Sequence, residues 1–99
     1  MRTTIRRVDQ ARLDLGATLL DTVGRTSTSA VVATRCLLAA DLLVRCGATP
    51  ASRTSPSVDD HALVVRALKL LGEVSDAVLD DDDVLEAMHH ALLAQAAAG

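Results

Sequence analysis

A chain of 99 residues that is 49% apolar but holds no Phe, Tyr or Trp must build its core from Leu, Val, Ala, one Ile and two Met, and it lacks the rings on which single-stranded nucleic-acid binding stacks its bases. Its net charge of −3 is the sum of two unlike halves: residues 1–57 carry eight arginines against four aspartates (+4), and residues 58–99 carry nine acids against Arg66 and Lys69 (−7). No apolar segment follows the basic start, and the most apolar stretch, 30–46, is interrupted by Arg35, Asp41 and Arg45, a pattern that supports neither export nor membrane insertion.

The first apolar series is Ile5, Val8, Leu15, Leu19 and Val23, whose spacings of three, four and seven predict a helix over 4–23. Gly24 is placed to end it, and the hydroxyl residues 26–29 are placed to cap the next. That second helix, 29–46, carries Val31, Val32, Leu37, Leu38, Leu42, Leu43 and Val44, leaving only Thr34, Arg35, Asp41 and Arg45 as a narrow polar stripe. A helix apolar on most sides needs neighbours on most sides, from its own bundle or from another subunit.

Residues 47–57, with Pro50 and Pro56, read as the linker. Ser57 and Asp60 have capping-box spacing, so a third helix is expected from 58 to 79, with Leu63, Val64, Ala67, Leu68, Leu71, Val74 and Val78 inward. The acidic run Asp80–Asp83 is expected to cap a fourth helix, 82–97, that buries Val84, Leu85, Met88, Ala91 and Leu92. The expected fold is all-α: one helical domain over 1–99, a small antiparallel four-helix bundle made of hairpins 1–46 and 58–99.

Little in the sequence announces chemistry. Glu86 and His89 have the helical spacing of a carboxylate–histidine metal pair, and His61 and His90 could add ligands, but the only other glutamate is Glu73. Cys36 and Cys46 lie ten residues apart on one predicted helix, too far to pair, and the expected compartment is the reducing cytoplasm. Their apolar setting predicts packed thiols of raised pKa rather than nucleophiles. The glycines are scattered singly and form no phosphate loop. No catalytic, cofactor-binding or metal site is expected.

The start Met1-Arg2-Thr3-Thr4-Ile5-Arg6, with Asp9 after it, and the later Gly24-Arg25-Thr26-Ser27 resemble the opening strand and the inter-helix turn of ribbon-helix-helix antitoxins and repressors. That resemblance implies a strand paired across a dimer, with Arg2, Thr4 and Arg6 reading bases, a DNA-binding dimer up to about residue 46, and an acidic second half that holds a toxin. Ile5, Val8, Leu15 and Leu19 instead fit a helix that begins where the strand would be. The residues themselves favour a non-enzymatic interaction or oligomerisation module, a homo-oligomer or the holder of a protein partner, with nucleic acid the less favoured partner. Its contacts are expected at Val31, Leu38, Leu42 and Leu43 of the second helix. The preference for Arg, Ala, Val and Asp over Lys suggests a bacterial or phage genome.

Overall fold

Helices α1 (Arg7–Thr26), α2 (Ala30–Arg45), α3 (Asp60–Gly72), α4 (Asp76–Leu79) and α5 (Asp82–Ala98) make up a computed structural model that describes residues 6–51 and 59–99. There is no strand among the described residues. The all-α fold expected from the sequence is the fold observed.

Each end of α2 has its own device. Ser29, as expected, caps α2, its hydroxyl accepting from Val32 N. At the other end Gly47 has φ 103°, a left-handed conformation that favours glycine. Its N–H donates to Val44 O and that of Ala48 to Leu43 O, the paired bonds of a Schellman motif, with Ala48 buried beneath them.

From there the chain does not cross directly to a neighbouring helix. It climbs back along α1: Gln10 Nε2 donates to Gly47 O at 2.9 Å, Thr49 N to Asp14 Oδ1 at 2.8 Å, and Ala51 N to Thr18 Oγ1 at 2.9 Å. Residues four apart on a helix stand above one another, so Gln10, Asp14 and Thr18 form a ladder that satisfies the polar groups of an extended strap. The strap reverses the direction in which α3 must run. Gly16 of α1 lies against Leu71 and Ala67, and Arg12 Nη1 donates to Glu73 O at 2.9 Å, so α3 descends antiparallel to α1. Packing then follows a ring, α1 against α2 and α3, α5 against α2 and α3, with α2 and α3 diagonal. Every neighbouring pair in that ring is antiparallel.

Five expectations need correction. Helix α1 begins at Arg7, not residue 4: Arg6 is an extended N-cap (ψ 150°), while Thr4 and Ile5 lie outside the described residues, as does Ser57 of the expected capping box. Asp59 caps α3 instead, accepting from His61 N. Gly24 does not end α1 but lies inside it, because a Cβ there would meet Leu37 Cγ at 2.6 Å; the glycine serves the α1–α2 contact. The third helix is not continuous to 79. Its last turn tightens, Glu73 N donating to Leu70 O and Val74 N to Leu71 O, and Ser75 N leaves the helical ladder to donate to Asp9 Oδ1 at 3.2 Å. Finally, Leu85 and Leu92, expected inside, face outward, as do Val8 and Leu15 of the first apolar series. The inner row of α5 is Val84, Ala87, Ala91 and Ala94, and that of α1 is Asp9, Leu13, Gly16, Ala17, Leu20 and Val23.

Two of the helical glycines should therefore behave differently. Gly24→Ala must displace Leu37 and is expected to destabilise by about 1–3 kcal/mol, the usual range for overpacking. Gly72, where an added methyl group would have nothing within 4 Å and where φ is not positive, should accept Ala with a gain of up to about 1 kcal/mol. Chemical denaturation of both variants measures the contrast.

Candidate interaction surface

The exposed residues of α2 are 30, 31, 34, 37, 38, 41, 44 and 45, a stripe along one side of the helix. Its inward side is Val32, Cys36, Ala39, Ala40, Leu42 and Leu43. Of the four residues expected at a contact, Val31 (59% exposed) and Leu38 (44%) stand on the outer face. Leu42 and Leu43 belong to the core, Leu43 completely. Leu37 and Val44 were not anticipated and join Val31 and Leu38 outside. The signal that could have found them is the polar stripe: Thr34 and Asp41 mark the solvent side, and the apolar residues three and four positions from them share it.

Helix α5 adds a second exposed row, Leu85, Leu92 and Leu93, with His89, Ala96 and Ala97 among them and no Lys or Arg anywhere on the helix. Among the described residues, ten large apolar side chains are more than a third exposed, and seven of them stand on α2 and α5, which pack side by side. Scattered exposed leucines are ordinary; their concentration on two adjacent helices of a small chain is not.

One polar pair bridges these two helices. Arg35 Nη1 lies 3.1 Å from His90 Nδ1. A guanidinium only donates, so Nδ1 accepts and the neutral ring carries its proton on Nε2, the nitrogen 3.9 Å from Glu86 Oε1. Glu86 thus lies toward His90 rather than His89, which is exposed, and both nitrogens of His90 face protein groups. The structure does not bring the Glu86 and His89 pair together.

Elsewhere, ligand atoms of Cys46, Asp81 and Asp83 lie within 4.8 Å of one another, and Cys46 Sγ donates to Asp81 Oδ1 at 3.6 Å. Asp81 is the N-cap of α5, accepting from Asp83 N at 2.9 Å, the capping role expected of the acidic run. Both cysteines are free. Burial pushes the Cys36 thiol up to about 12, with the nearby Asp60 charge adding to it.

At the foot of α1 a cleft of about 270 Å³ is lined by Arg6, Arg7, Val8, Asp9, Arg12, Glu73 and Ser75. Asp9 is almost completely buried. Hydrogen bonding from Ser75 holds its carboxyl below the ordinary value against the opposing cost of burial, and Arg6 and Arg12, each 3.8 Å away, assist. Arg6, a base-reading residue by the ribbon-helix-helix resemblance, is here turned to Asp9; Arg2 and Thr4 lie outside the described residues. The acidic second half implied to hold a toxin packs in the same bundle as α1 and α2. The chain matches no protein-family model, no curated protein and no solved structure.

Two measurements follow from these environments. A carboxylate with a depressed folded pKa stabilises above its unfolded value, and that stabilisation is lost as pH falls through the folded value. The thermal midpoint should therefore fall with acidification below about pH 4, the unperturbed range of an Asp, and the fall should be shallower in Asp9→Asn. With a soluble thiol reagent, Cys46 should label quickly and Cys36 only on unfolding, read by mass spectrometry of the cleaved chain.

Proposed function

We propose that this chain is a non-enzymatic interaction module that assembles through the outer face of α2 and α5, in the first instance with further copies of itself. The observation that carries the reading is the grouping of seven exposed large apolar side chains on these two neighbouring helices. A chain of this size buries a smaller fraction of its surface than a larger domain does, and association adds to what it buries. The absence of aromatic anchors leaves Leu and Val as the side chains that can supply contact area.

Among the described residues no helix is long and apolar enough to cross a membrane. The face also lacks the rim of basic residues that a membrane surface would attract: α5 carries none, and Arg45 of α2 lies 3.9 Å from Asp41.

Sedimentation equilibrium across a wide concentration range tests the reading. The mass should exceed the 10.3 kDa of one chain, and Leu38→Glu combined with Leu93→Glu should return it to that value with unchanged helical circular dichroism, since both side chains are substantially exposed. A substitution at Leu42 or Leu43 would not serve, because it would strike the core. A wild-type mass of one chain at every concentration contradicts the proposal.

A further inference from the structure

The outer face of α2 has an internal symmetry. Reversing the helix about the point between Leu37 and Leu38 exchanges Leu37 with Leu38, Val31 with Val44, Thr34 with Asp41, and Ala30 with Arg45, and these eight are all of its exposed residues. The geometric part of this symmetry belongs to any straight helical stripe. The chemical part belongs to this sequence: each leucine and valine exchanges with another, the hydroxyl exchanges with the carboxylate, and only the end pair, Ala30 and Arg45, is unlike.

We infer that α2 pairs with α2 of a second copy, antiparallel about a two-fold axis between Leu37 and Leu38; the inference rests on the self-association reading above. A two-fold interface brings residue i against j and j against i. Here that sets Leu37 against the second copy's Leu38 and Val31 against its Val44, in both directions. Thr34 can donate its hydroxyl to the second copy's Asp41, a group that only accepts, and the bond occurs twice. Arg45 falls opposite Ala30, leaving its guanidinium free to stay at the rim beside Asp41 of its own helix. No like charges meet.

Leu37 also touches its own bundle: the missing Cβ at Gly24 leaves room for it against α1, while it stays as exposed as Leu38, 43% against 44%.

The same operation on α5 has a worse outcome. Centred on His89 it sets Leu85 against Leu93, but Glu86 against Leu92, Asp82 against Ala96, and the two copies of His89 against each other. A carboxylate facing a leucine loses solvation without gaining a partner. Charge and polarity therefore assign the self-pairing to α2 and leave α5 at its flank.

Directional cross-linking tests the pairing. In a background of Cys46→Ser, Thr34→Cys and Asp41→Cys chains are mixed and oxidised. The antiparallel pairing predicts the mixed 34–41 disulfide as the main product, with little 34–34 or 41–41. Independently, Thr34→Asp places two carboxylates against two, and should weaken the dimer at least tenfold, more so at low salt, with helicity unchanged; adding Asp41→Arg to it should restore association. A wild-type chain that sediments as a monomer overturns this inference together with the self-association reading. A dimer that gives no 34–41 product and ignores Thr34→Asp overturns the α2 pairing alone.

Discussion

A core without aromatic rings has to be closed by bringing helices together, and in this chain the closing is done by side chains of one carbon or none. The α5 helix turns Ala87, Ala91 and Ala94 inward, α1 turns Gly16 and Ala17, and Gly24 receives Leu37. Small inner rows permit short distances between helix axes, and leucines such as Leu13, Leu20, Leu43 and Leu71 fill the middle. The consequence is felt outside. Leucines that a wider core would have absorbed stand on the outer faces of α2 and α5, where they are available to another chain.

The path of the chain rests on a second set of interactions, all of them polar and all on α1. Gln10, Asp14 and Thr18 hold the backbone of the strap, and Asp9 holds the N–H of Ser75 where α3 ends. The strap bonds let the chain return to the far end of α1 before α3 begins. The Asp9 bond fixes where it turns toward α5. Because each adjacent pair of helices is then antiparallel, their backbone dipoles oppose one another around the ring. The acidic second half is packed on the arginine-bearing first half, so the charge asymmetry along the chain is an asymmetry between neighbours in one bundle.

Much of the fold was legible because its signals are local. Ser29 as a cap, the end of α2 before Gly47, and the start of α5 within the acidic run all follow from backbone groups that need partners nearby. What was not legible depends on partners distant in sequence. Nothing near Gly72 says that Ser75 N–H will find Asp9, 66 residues away, so the third helix read as continuous. Nothing near Gly24 says that Leu37 will need its space. The outer face was half legible: a helix apolar on nearly every side offers periodicity little purchase, and Leu42 and Leu43 could be told from Leu37 and Leu38 only by taking Thr34 and Asp41 as the mark of the solvent side. On α5 the small alanines outrank the leucines for the interior, the reverse of what hydrophobicity alone predicts.

If the outward leucines and valines of α2 serve to touch another copy of the chain, their methyl groups must sense its concentration. Methyl NMR spectra of specifically labelled Leu and Val, recorded from dilute to concentrated protein, read this at the residues concerned. Self-pairing predicts concentration-dependent shifts at Val31, Leu37, Leu38 and Val44, with Leu13, Leu20 and Leu71 unmoved. Spectra that stay the same at every concentration, or shifts that appear equally at the core methyls, would contradict it.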